Sequence, residues 1–313
     1  MMIIVHHYTE NYSIYFPNDI ISYPITLMHG GQIGNMLFMM MSGFFMGGVF
    51  LDDNKNKLVD VGKYVVNRYW RFWPQYAIAV TVITLWVHFL PIEGRGVYSI
   101  RDFIVNFLFI IHTGVPNADG SHWFLATLLK LQIALSLMIL IPKSAYRVRA
   151  LLALFLISFT IRFSGQFFEI PDGIVFWTTW MGYITLGALL RVFKERKEGV
   201  WYGVIFSVLM VLSVVEVVGW IGAAILWLLT LFFIFIAYNK YDTFILGSKP
   251  CVAIGSISFS WYLVHQNIGY SIQYYFLPKG DISMIYILIP MSVTLLIAFV
   301  IEKAIARLPK KLV

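Results

Sequence analysis

WYGVIFSVLMVLSVVEVVGWIGAAILWLLTLFFIFIA, Trp201 to Ala237, runs for 37 residues with one charged side chain, Glu216. Val218 and Gly219 divide it into two apolar runs, 201–217 and 220–237, each of a length that crosses about 30 Å of hydrocarbon. The two read as a tight antiparallel hairpin of membrane spans, helical because lipid offers the backbone no hydrogen-bonding partner.

Similar runs recur on both sides of this hairpin, near 33–51, 72–90, 122–141, 149–164, 174–193, 254–277 and 283–303. The predicted fold is therefore all-α, a polytopic transmembrane helix bundle of about nine full spans plus a partial N-terminal helix, in one domain over 1–313. Phe103 to Ile111 is too short to cross and reads as a re-entrant or buried helix. Composition agrees: 59% of the 313 residues are hydrophobic and 12% charged, against about 25% charged in a soluble domain. A net charge of +7 would fit a nucleic-acid binder only if it were gathered on a polar domain, and there is none. Cys251 is the single cysteine, which excludes an intrachain disulfide and a cysteine-rich metal site. Met1 to Val5 is too short for a signal peptide. No internal repeat is visible.

The basic residues explain their own excess. Of 23 Lys and Arg, 18 fall in 52–71, 142–149, 191–200, 238–253 and 303–313, and such residues collect in short cytoplasmic loops. This orients the C-terminus and the 52–71 loop to the cytoplasm of a multi-pass cell-membrane protein, and places 9–32 outside. Met1 to His7 then reads as the last turns of a helix whose first half lies upstream of Met1; the other reading is a short mobile N-terminus that begins outside.

An ionisable side chain at a span centre costs about 2.5–3.5 kcal/mol on insertion scales, so each is a functional candidate. His6 and His7 end the partial helix, His29 precedes the second span, Lys130 and Glu216 lie within spans, His265 sits mid-span, and Glu302 closes the last. An imidazole can take the proton of a hydroxyl nucleophile near neutral pH, although a membrane histidine more commonly just bonds a neighbouring helix. His88 and His112, at helix ends, fit that ordinary role. Arg68 and Arg71 share a helical face just before Pro74, a pair that could clamp phosphates or anchor the span at the interface beside Trp and Tyr. Met41 to Gly48 is rich in small residues, read as close helix packing. Asn11-Tyr12-Ser13 matches a glycosylation sequon, a weak pattern.

Together these fragments resemble the acyltransferase 3 family of multipass membrane proteins, over essentially the whole chain. GNMLFMMMSG (34–43) followed by Phe44-Phe45 looks like its aromatic-rich stretch ending in Ser-Gly-Phe, and Arg68, Arg71, Pro74 and Tyr76 look like its basic pair followed by Pro-x-Tyr. Ser121-His122-Trp123-Phe124-Leu125 is similar to its Trp-Phe-Leu helix start, Ser258 to His265 to its Ser-x-x-x-Tyr-Leu-x-His helix, and Glu302 to Pro309 to its closing acidic residue and proline. The resemblance implies about ten transmembrane helices and transfer of an acetyl group from acetyl-CoA, a co-substrate rather than a permanently bound cofactor, to a hydroxyl of a cell-surface or exported carbohydrate. Its partners are then acetyl-CoA, the carbohydrate and the bilayer, and no nucleic acid.

By register, His7 stands in the position of the family's essential first-helix histidine, beside His6. The Arg or Lys that precedes that histidine would fall upstream of Met1. His29 is the competing choice, although Asn18 stands where its basic partner should be. The same resemblance assigns Arg68, Arg71 and Tyr76 to the donor, and Trp123, His265, Ser42 and Glu302 to the substrate cavity. Glu302 would orient a partner there or cap the last span electrostatically. Direct transfer with His7 as general base and transfer through an acyl-histidine both remain open. The alternative function is a transporter or flippase of a lipid-linked sugar or acylated product; the lack of a repeat argues against it, while Lys130 and Glu216 argue for it. An inactive family relative is a third reading.

Overall fold

The computed structural model describes residues 1–21, 29–97, 99–110, 116–239 and 247–307. In chain order its helices are α1 (residues 2–15), α2 (Gly30–Gly47, extended by a 3-10 turn Gly48–Leu51), α3 (Leu58–Phe89), α4 (Ile100–Phe107), α5 (His122–Ser136), α6 (Ser144–Ser164), α7 (Asp172–Glu195), α8 (Val200–Leu212), α9 (Val215–Asn239), α10 (Lys249–Phe276) and α11 (Leu288–Ile305). Among the described residues one two-stranded pairing joins Ile20–Ile21 to Asp281–Ile282 in parallel, and an isolated antiparallel bridge joins Ile92 to Arg95.

Seven helical segments among the described residues are long and apolar enough to cross a membrane, against the nine expected. Two expectations account for the difference. The run 201–217 is helical only over Val200–Leu212, and 13 residues rise about 20 Å, short of the hydrocarbon thickness. Its turn comes earlier than Val218-Gly219, at Ser213 and Val214, and Gly219 then breaks α9 at φ 67°, ψ 170°, a conformation open to glycine alone. The run 254–277 is a full helix of 28 residues, but the polar side chains buried in its middle keep its hydropathy low. A further correction concerns 52–71, which is a loop only as far as Lys57: α3 begins at Leu58, and it carries Arg68 and Arg71, which the sequence already read as sharing a helical face. The run 103–111 gives the short α4, whose Ile100 and Ile104 are exposed while Asn106 is buried.

The helices form two compact units, one of Met1–Leu27, Val66–Thr127 and Phe244–Val313, the other of Met28–Val65 and Leu128–Thr243. In the second unit α2 lies against α7 with backbone touching backbone. A Cβ on Gly43 would collide with the Ile184 carbonyl, and one on Gly187 with the Met40 carbonyl. Without a hydrophobic drive between helices in lipid, such small-residue contacts supply the attraction, and this is what Met41 to Gly48 does. Gly187→Leu should force the pair apart at a cost of at least 1–3 kcal/mol, the usual range for overpacking; a markedly lower melting temperature in detergent checks it, and an unchanged one refutes the packing role.

In the same unit Arg147 is the largest fully buried side chain. Its Nε donates to the Ile141 carbonyl at 2.7 Å and its terminal nitrogens to the carbonyls of Asp52, at 2.9 Å, and Lys55. The Asp53 carboxylate accepts the Ser144 amide at the start of α6. A residue that topology alone reads as a cytoplasmic charge thus stitches the α2–α3 connection to α6. Lys130, on α5 in this unit, is exposed.

In the first unit α10 and α11 pack along each other. Trp261 Nε1 donates to Thr294 Oγ1 at 3.0 Å. The Glu302 carboxylate accepts from Ser260 Oγ at 2.8 Å and Gln75 Nε2 at 3.2 Å, tying α11 to α10 and α3. Tyr69 and Trp73 of α3 donate to the Leu108 and Phe107 carbonyls that end α4, both at 3.0 Å. Asn106 bonds the Pro116 carbonyl and the Ala118 amide, each at 2.9 Å. It thereby fixes the chain that enters α5.

A candidate active site in the first unit

α1 is longer than the partial helix expected. Met2–His6 passes into a wide π turn, His7–Asn11, and on into Tyr12–Tyr15; single π turns mark functional positions in many helices. Tyr8 occupies the space that a Cβ on Gly269 of α10 would need. Its hydroxyl donates to the His265 carbonyl at 2.7 Å and lies 3.2 Å from Thr294 Oγ1. Gln273 Nε2 donates to the Tyr8 carbonyl at 2.9 Å. These bonds set α1 against α10 and α11.

So seated, His7 meets His265 with ring centroids 5.0 Å apart. The Asn11 side-chain amide is 2.8 Å from His7 Nδ1 and 2.8 Å from the Tyr270 hydroxyl. Its place in a sequon is incidental: the side chain is engaged inside the unit. His265 is fully buried; its Nδ1 is 2.6 Å from the Tyr262 carbonyl, an oxygen that only accepts, so Nδ1 carries the proton and Nε2 the lone pair. That Nε2 is buried and makes no hydrogen bond. The guanidinium of Arg95 lies 3.7 Å from the Tyr15 ring centre and 4.7 Å from that of Tyr270.

Asp119 and His122 frame His265 from the start of α5. One Asp119 oxygen accepts the Ser121 amide (2.9 Å) and hydroxyl (2.6 Å), and the other accepts the Asn267 amide at 2.9 Å. His122 Nε2–H donates to the Leu263 carbonyl at 2.9 Å. Leu263 and Asn267 are the two residues that would face each other across one rung of the α10 ladder, so each is gripped from outside. A carboxylate or an imidazole this deep is tolerable only with such partners.

The expected site residues divide between the units. His7, His265, Tyr76, Trp123, Glu302, Arg68 and Arg71 belong to the first unit, and His29 and Ser42 to the second. His6 bonds Glu10 at 2.9 Å and meets the His7 ring edge-on at 5.4 Å. Tyr76 is fully buried with its ring 5.0 Å from that of His122. Trp123 stands edge-on to Phe124, and the donor to α10 is its neighbour His122. Arg71 is exposed and Arg68 half-buried. Glu302 bridges α11 to Ser260 of α10 and Gln75 of α3. His29 adopts a left-handed φ of 58° just before α2, and Ser42 is buried within α2. His112 and Pro309 lie outside the described residues. Asn11, Asp119, His122 and Tyr270 were not singled out as site residues; the clue for Asp119 and His122 was their spacing of three around Ser121 at the mouth of a span.

These features define an integral membrane protein whose apolar helices enclose a polar centre with three histidines. The family model for the acyltransferase domain matches residues 1–303, and the chain belongs to the acyltransferase 3 family of membrane acyltransferases. Comparison with curated proteins and with solved structures gives no match.

Proposed function

We propose that this protein moves an acetyl group from cytoplasmic acetyl-CoA to a hydroxyl of a cell-surface or exported carbohydrate, with His7 at the centre of the chemistry. The observation that carries the reading is the holding of His7: Nδ1 against Asn11, Asn11 against Tyr270, and the ring beside His265. A histidine whose one nitrogen is held and oriented has the other available for proton transfer. For His7 Nε2 to act as base, Nδ1 must bear the proton, so Asn11 must turn its carbonyl oxygen toward it. That is a rotation of the amide by 180°, which leaves both 2.8 Å contacts in place and lets the Tyr270 hydroxyl donate to the same oxygen.

In the direct route His7 Nε2 takes the proton of the acceptor hydroxyl as that oxygen attacks the thioester carbonyl carbon. The C–S bond breaks and the imidazolium returns the proton to the departing CoA thiolate. In the covalent route Nε2 attacks the thioester carbonyl carbon first and the C–S bond breaks to release CoA thiolate; the acceptor hydroxyl then attacks the acyl-imidazolium, the N–C bond breaks, and the hydroxyl proton ends on the thiolate. Arg68 and Arg71 serve the donor phosphates from the cytoplasmic side, where the C-terminus also lies. Tyr76, eight residues further along α3, is deeper by about 12 Å, the direction in which the pantetheine arm would reach.

The test is transfer of labelled acetyl from acetyl-CoA in membranes that contain the protein and its native envelope acceptors. Label on carbohydrate, with CoA released in equal amount, is the expected result. Intact acetyl-CoA and unlabelled carbohydrate would return the protein to the transporter or inactive-relative readings.

A further inference from the structure

Arg162, in the last turn of α6, keeps only 4% of its side chain exposed, yet its guanidinium makes no hydrogen bond among the described residues. Its Nε is buried without a partner, and its nearest carboxylate, Glu216, is 4.0 Å away, beyond hydrogen-bond reach. A buried donor left this way on a cation is costly in a membrane protein. Arg162 lines a cavity of about 970 Å³ in the second unit, together with Gln166, Glu169, Asp172 and Glu216.

The charges select the occupant. A purely anionic ligand would meet Arg162 but also three carboxylates, and a purely cationic one would leave the guanidinium uncompensated. A zwitterion satisfies both, with its negative group on Arg162 and its ammonium among Glu169, Asp172 and Glu216. The cavity's place supplies the rest of the argument. Arg162 is two residues from the end of the span Ser144–Ser164, Asp172 opens Asp172–Glu195, and Glu216 stands in the first turn of Val215–Tyr238. Ends of spans lie at the depth of lipid headgroups. Phe167 and Phe168, also on the cavity wall, are 67% and 71% exposed, as side chains bordering acyl chains would be.

We infer that this cavity is a binding site for the headgroup of a zwitterionic aminophospholipid, phosphate on Arg162 and ammonium on the carboxylates. Its size is within the range of small-ligand sites. The site is independent of the transfer reaction proposed above, and binding is its readout.

The experiment is native mass spectrometry of the delipidated full chain, offered equal amounts of phosphatidylethanolamine and phosphatidylglycerol. Wild type should retain the first at least fivefold over the second. That preference should fall to about one in Arg162→Gln. The double variant Glu169→Gln/Asp172→Asn, whose positions are exposed and outside the packed core, should lose it too and carries the test if Arg162→Gln does not fold. Equal retention of phosphatidylglycerol by wild type, or an undiminished preference in the double variant, overturns the inference. Displacement of the bound lipid by a neutral oligosaccharide would also overturn it and assign the cavity to carbohydrate.

Discussion

His7→Ala is expected to lower acetyl transfer to carbohydrate by about a thousandfold, the middle of the range for loss of a general acid–base group. The argument is geometric. In its unit His7 is the imidazole whose Nδ1 is held by a neutral amide at 2.8 Å, whereas His265 spends its Nδ1 proton on Tyr262 and His122 its Nε2 proton on Leu263. Asn11→Ala should leave the ring in place but free to choose the wrong tautomer, with a smaller loss of roughly ten- to a hundredfold. His29→Ala should transfer at the wild-type rate. Rates in membranes with matched protein content read all three. Abolition by His29→Ala with His7→Ala unaffected would move the chemistry to the other histidine.

Asp119→Ala should be the most destabilising single change near the site. It strips the acceptor from the Ser121 amide, the Ser121 hydroxyl and the Asn267 amide at once, in a region sealed from water. At about 1–3 kcal/mol for each buried donor left unsatisfied, and with the Ser121 hydroxyl able to rotate to another acceptor, the loss is on the order of 2–6 kcal/mol. The Leu263 carbonyl keeps a second lone pair beside its bond from His122, so a return of the Asn267 amide to it would place the loss toward the lower end of that range. Asp119→Asn keeps one acceptor oxygen but turns an N–H toward another N–H, so it should fall between the two. Thermal unfolding in detergent measures the series; an Asp119→Ala protein that melts with the wild type would show that the carboxylate carries no structural load.

The membrane class was legible because it depends on composition and run length, which are local. So was the purpose of Gly43 and Gly47, since small residues in a span admit few other uses. Span ends were less so: an apolar run such as 201–217 looks the same whether the chain turns at Leu212 or at Gly219, and only the neighbours decide. For the site, the resemblance singled out His7 and His265, and the structure places them side by side. Asp119 escaped because an acidic residue just before a span is ordinary in a loop, and nothing local says that its partner is 148 residues away at Asn267. Asn11 was hidden by a sequon that described the same letters better. Arg147 read as one of the cytoplasmic loop charges because topology rules count charges and do not see which carbonyls they reach.

The wide turn at His7–Asn11 bears on which changes the gene can absorb. A π turn is one residue more than the α-helix needs at that point, and each residue of helix turns the chain by about 100°. Losing a single codon between positions 7 and 11 would let the helix relax to regular geometry with Met2 to His6 still on their present faces, whereas losing one between Tyr12 and Tyr15, where no residue is in excess, would rotate everything ahead of the deletion by that angle. The side chains from Met2 to Asn11 would then face new neighbours although none of them had been altered. The wide turn is thus the place in this helix where a change of length leaves the rest of it in register.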